Sequence, residues 1–246
     1  MQINKKTYTH PMTYLSLSII ICTIILASTW RGNNKLNQVI TVTGSAKREI
    51  KADFARLSGT ISAKGGTSLE AYTQFKSAQE KFISYLLQKG YKKEAIEEKP
   101  VNTFPVYSNT ISPSGQTVNQ ISGYETTQSI TVSGSDPYSI KRLSLEISYV
   151  IELGVNFMNI NTEYHCSKLN EIKVEVQADA AKNALMRAKK IAEATGSKIG
   201  DIRAGTMGVL QITPKYSTQV EDTGVNDLSS IEKEITAVVN ASFEIK

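Results

Sequence analysis

Cysteine is nearly absent from this chain: there are two in 246 residues, Cys22 and Cys166. A disulfide-stapled scaffold is excluded, and no CxxC pair exists to hold a structural zinc or a dithiol couple. Histidine is equally scarce, with two, and no HExxH or GxSxG sequence occurs. The usual zinc-protease and serine-hydrolase signatures are therefore missing. Charge of one sign is also lacking, since 28 Lys and Arg face 23 Asp and Glu. Residues 1–30 hold only Lys5 and Lys6 among these, which leaves 26 against 23 beyond Trp30. So small and mixed an excess argues against a nucleic-acid partner. The composition excludes collagen, coiled coil and wholesale disorder as well.

One long apolar run is present. Met12–Thr29 reads MTYLSLSIIICTIILAST, eighteen residues without a charge, after Lys5 and Lys6 and before Trp30 and Arg31. At 1.5 Å per residue such a helix is about 27 Å long, close to the thickness of a bilayer's hydrocarbon core. Residues 1–30 read as a signal peptide or signal anchor. Ala27 offers a small-residue cleavage position, whereas the run's length and the Trp30–Arg31 boundary favour an inner-membrane anchor. Either way, residues 31–246 are expected in the periplasm or cell envelope, with Cys166 as their only cysteine.

The remainder reads β-β-α-β-β-α-β-α-β-β. Val39–Gly44 and Phe54–Ile61 pair as strands. Thr67 and Glu70 form a capping box at the start of a helix whose apolar face is Tyr72, Phe75, Phe82 and Leu86, and Gly90 ends it. Glu97–Tyr107 and Tyr124–Ser133 are strands flanking a polar hairpin loop. Asp136–Pro137 opens a second helix with Ile140, Leu143, Ile147 and Val150 inward. Val155–Cys166 is a strand, so the neighbours His165 and Cys166 should point to opposite faces rather than form a thiolate–imidazole pair.

A long helix spans about Lys168 to Thr195, with Ala180, Ala184, Ala188 and Ala192 at every fourth position and Gly196 at its end. Alanines four apart make a smooth ridge that another element can approach closely, with Leu185 and Ile191 filling the volume beside it. Lys189, Lys190 and Lys198 form a solvated basic end. Ile202–Ile212 and Ile235–Ile245 are the closing strands, and Thr213–Glu234 is a polar insertion. Because no glycine-rich phosphate turn joins a strand to a helix, a doubly wound nucleotide fold is excluded. The expected class is two-layer α+β, with helices on one face of mixed or antiparallel sheets. Two subdomains are expected: residues 36–114 with 232–246, and residues 120–213, with 214–231 a mobile loop.

Several of these stretches together resemble the SIMPL-domain family of periplasmic immunogenic and oxidative-stress-defence proteins. They are Val42–Ala46 with Lys51-Ala52-Asp53, Phe104-Pro105-Val106-Tyr107, Gly123-Tyr124 leading into Ser129–Ser133, the helix from Ala178 through Ala192 with Gly196 and Lys198–Gly200, and Val238–Ile245. One departure is Ala52, where the family commonly has Pro. The resemblance implies an exported α+β protein without an established reaction, catalytic residue or cofactor. Some relatives form ring-like oligomers, and others are linked to oxidative-stress tolerance. The expectation is a non-enzymatic, self-associating envelope protein of interaction or assembly type. The alternative is a binding module for a small molecule or envelope component, using a groove lined by the long loops.

Overall fold

The computed structural model describes residues 11–36, 38–111 and 117–246. Lys5, Lys6 and residues 112–116 of the expected hairpin loop lie outside these. The chain divides into two compact units, one of Met1–Ala46, Glu175–Val209 and Ala237–Lys246, the other of Lys47–Val174 and Leu210–Thr236. This is the α+β class, with antiparallel sheets.

In the first unit, α1 (Pro11–Leu36) carries the apolar run. Every side chain described in it, Tyr14–Trp30, is exposed. Among the described residues no helix is long and apolar enough to cross a membrane, so the anchor expected over residues 12–29 is not supported here.

Strand β1 (Val39–Lys51), β7 (Ile199–Met207) and β9 (Glu232–Ile245) form a sheet in the order β1-β9-β7. Residues 47–51, 169–174 and 232–236 count with the other unit, whereas most of α4 (Leu169–Ala194) belongs to this one. Ala180, Ala184, Ala188 and Ala192 are all buried in it. At this ridge the β1 backbone comes so close that a Cβ on Gly44 would lie 2.3 Å from Ala180 O and Ala184 N. Side chains fasten the crossing: Arg187 donates to Thr43 O at 3.1 Å, and Asn183 Oδ1 accepts the Ser45 N–H at 3.2 Å. Ile191 does not fill the volume beside the ridge, because it is exposed. Gly196 takes a φ of 72° just past the helix, and the Ser197 N–H turns back to Ala192 O at 2.8 Å. Where one strand was expected over Ile202–Ile212, Gly208 separates β7 from β8 (Gln211–Pro214).

The second unit is built on β2 (Phe54–Gly65), β3 (Ile96–Glu98), β4 (Asn102–Ile111), β5 (Thr117–Gly134) and β6 (Asn156–His165). Their order is β3-β5-β2-β6, with β4 also on β5. Strand β5 runs without a break through residues 117–134 and pairs with β4, so the residues between the expected subdomains 36–114 and 120–213 lie in one sheet.

Helices α2 (Ser68–Gln88) and α3 (Pro137–Glu146) pack on this sheet. Helix α2 starts where Thr67 Oγ1 accepts the Glu70 N–H at 3.2 Å and the Glu70 carboxylate accepts the Gly66 N–H at 2.9 Å. Its buried stripe is Ala71, Phe75, Ala78, Phe82 and Leu86, which leaves Tyr72 exposed. Asp136 caps α3 by accepting the Tyr138 N–H at 3.0 Å. The core joins Leu57, Ile61, Phe75, Phe82, Ile130 and Ile140.

Residues 214–231, expected as a mobile loop, are bonded to β8 and reach the core. The Ile212 N–H reaches Val225 O at 2.7 Å, the Asp227 N–H reaches Ile212 O at 2.9 Å, and Ile231 is buried in the core. With the Gln211 side chain donating to Glu221 O at 2.7 Å and accepting the Val225 N–H at 2.9 Å, such ties hold the segment and leave no hydrophobic period to read in a sequence.

Candidate functional site

The chemically richest place in the second unit lies at the end of β6. Lys233 alternates inward with Ile231 and Ile235 along β9, so its side chain is carried into the interior, 3% exposed. A buried ammonium needs acceptors. Lys233 Nζ finds them in Tyr164 O, at 3.0 Å, and Asp227 O, with the Asp227 carboxylate 3.8 Å away. Burial pulls the Lys233 pKa below its ordinary value against the opposing pull of Asp227 and Cys166. Burial pushes Asp227 upward, but hydrogen bonds from Ser230 and Ser229 and the Lys233 charge outweigh it and hold the carboxyl below its usual range. The ammonium is thus engaged in fastening residues 227–233 against β6, where the Tyr164 N–H also reaches Leu228 O at 2.8 Å.

His165 and Cys166 both border a cavity of about 90 Å³ beside Lys233. Opposite-face alternation does not separate them, because β6 ends at His165 and Cys166 lies beyond the strand. His165 Nε2 instead faces Glu163 Oε2 at 3.2 Å. Asp53 accepts both the N–H and the hydroxyl of Ser167, which hold its pKa below the ordinary value. Among the described residues no three His, Cys, Asp or Glu side chains converge as metal ligands. The ridge alanines, Gly196, Thr67 and Glu70 serve packing and helix ends and do not border this cavity.

A second feature of this unit is an exposed ribbon. β2 ends at Gly65, opposite Tyr124, so residues 117–123 of β5 have only β4 beside them. Tyr107 stands opposite Ile121, with side chains 57% and 52% exposed, and Phe104 is exposed too. From Pro100 to Tyr124, 25 consecutive residues carry no charge, in a chain that is 21% charged. Exposed edge strands ordinarily bear charges that prevent further pairing. The sequence reading missed this ribbon because Ser, Asn and Gly suggested a loop. The uncharged run was the available signal.

Two α+β units with antiparallel sheets, a buried lysine bonded to backbone carbonyls and an uncharged ribbon are the features to set beside known proteins. The family model described as "SIMPL: Protein of unknown function (DUF541)" matches residues 40–243, and the chain belongs to that family. Comparison with curated proteins yields no match.

Proposed function

We propose that this chain is an exported cell-envelope protein that self-associates through the β4–β5 ribbon and has an assembly rather than a catalytic role. The ribbon carries this reading. A two-stranded ribbon is marginal alone, and this one exposes Tyr107 and Ile121 beside two strand edges without a single charge. The partner that best matches an uncharged edge is another uncharged edge, and a second copy supplies one. Export is read from the uncharged run Met12–Thr29 and from the SIMPL resemblance, which also motivates the link to stress tolerance.

Light scattering on size-exclusion fractions of the native protein tests self-association. The expected result is an oligomer that Tyr107→Lys with Ile121→Glu dissociates while the unfolding midpoint stays near that of the parent. A strict monomer at all concentrations overturns the reading. Intact-mass measurement of the same preparation tells a retained N-terminal segment from one removed after Ala27. A cytosolic protein with an intact N-terminus removes the export reading.

A further inference from the structure

Tyr138, at the second position of α3, and Tyr216, just after β8, border one open groove of about 540 Å³ in the second unit. They come from segments far apart in sequence, yet both are built alike. Lys51 Nζ lies 4.9 Å from the centre of the Tyr138 ring, and Lys215 Nζ lies 5.0 Å from that of Tyr216. An ammonium near a ring face is favourable in itself and presents a flat apolar surface beside a positive charge. The lining holds two cations, Lys141 and Lys215, with the hydroxyls of Ser229 and Ser230 and the carboxylate of Glu232. Glu49 is taken up by Lys215 at 2.9 Å. Lys141 and Lys215 stand against Glu232 in the lining, and with Lys51 beside Tyr138 and Glu49 on Lys215 at its flanks the groove and its surroundings carry one positive charge in excess.

Tyr216 has a φ of 67°, a region that glycine or asparagine enters at far lower cost, and its side chain is 85% exposed. A non-glycine residue in that conformation is uncommon, and here it carries an exposed ring with Lys215 on one face.

We propose that this groove binds a short acidic saccharide. The Tyr138 and Tyr216 rings would take the C–H faces of successive sugar rings, Lys141 and Lys215 the acid groups, and Glu232 with the serines the hydroxyls. A nucleic acid would need a larger cationic excess, and an apolar ligand would leave the lysines unmatched. The proposal concerns a surface apart from the ribbon and does not depend on self-association.

Isothermal titration of the native full chain with tetragalacturonate, maltotetraose and inorganic phosphate tests it. The acidic tetramer should bind with an affinity that falls as salt rises, and maltotetraose at least tenfold more weakly. Phosphate at the same charge concentration should not displace the tetramer. Tyr216→Gly and Lys141→Glu should each weaken binding at least tenfold without lowering the unfolding midpoint. No binding of the acidic tetramer, equal binding of the neutral one, displacement by phosphate alone, or undiminished binding by both variants would each overturn the proposal.

Discussion

The Phe157 ring occupies the space that a side chain on Gly59 would need: a Cβ built there would lie 2.1 Å from Phe157 Cζ. The same ring stacks on Phe82 of α2 with 4.6 Å between centroids. Strand, glycine and helix are therefore linked through one aromatic side chain. Gly59→Ala should cost about 2 kcal/mol by overpacking. Combining it with Phe157→Ala should cost less than the two single changes added together, because the clash and the ring vanish together. Urea unfolding of the three variants measures the coupling, and strict additivity would show that the contact carries no energy.

The second close approach is between Gly44 and the α4 ridge. Ala184→Leu would drive a branched side chain into the β1 backbone, and Gly44→Ala would press a methyl onto Ala180 O. Each should lower stability by about 2 kcal/mol. Met186→Leu, at an exposed position of the same helix, should leave it within about 0.5 kcal/mol. Thermal unfolding of the three variants decides this. Equal midpoints for Ala184→Leu and Met186→Leu would show that the ridge is not tightly packed.

The alanine ridge was legible because a period of four survives in the sequence whatever surrounds it, and the capping residues of α2 and α3 because they act locally. Residues whose state depends on distant partners were harder to read. Tyr72 looked like part of a buried stripe, but the sheet takes the neighbouring face through Ala71 and Ala78. Thr213–Glu234 looked unstructured, because its order comes from Gln211, Asp227 and Lys233 bonding to backbone groups. Lys233 fell within that insertion in the sequence reading, and its inward alternation with Ile235 and Ala237 emerges because β9 already starts at Glu232. Only the fold shows which acceptors it meets.

Removing that lysine tests the buried cluster. Lys233→Met keeps much of the side-chain volume but strips Tyr164 O and Asp227 O of a donor and leaves Asp227 without its cation. Breaking one partner of a buried pair costs about 3 kcal/mol. Lys233→Met with Asp227→Asn should recover part of the loss, since no buried charge then stands alone. Chemical denaturation gives both values, and a Lys233→Met protein as stable as the parent would refute the role assigned to the ammonium.

Tyr85 offers the opposite sign. Its hydroxyl is buried and has no hydrogen-bond partner among the described residues, and burial raises its pKa. Tyr85→Phe removes an unsatisfied polar atom while keeping the ring near Lys89 Nζ, 5.6 Å from its centroid. The protein should gain about 1 kcal/mol. A lower unfolding midpoint for Tyr85→Phe would mean that the hydroxyl has a partner after all, such as an ordered water.

The Asp53–Ser167 pair predicts a pH dependence. The hydroxyl and backbone N–H of Ser167 hold Asp53 below its ordinary pKa of 3.8, so the ionised carboxylate is the form the fold favours. A carboxyl with a depressed pKa adds stability that is fully present above 3.8 and is lost as pH falls through the lower folded value. Ser167→Ala removes the hydroxyl donor and keeps the backbone one, so it should lower stability at neutral pH by about 1 kcal/mol. The gap between parent and variant should then close at acid pH, where Asp53 is protonated in both. Carbon-detected NMR titration of the Asp53 carboxyl gives the underlying shift directly. A gap that stays constant down to the acid limit would place the stabilisation in the Ser167 packing rather than in the charge it serves.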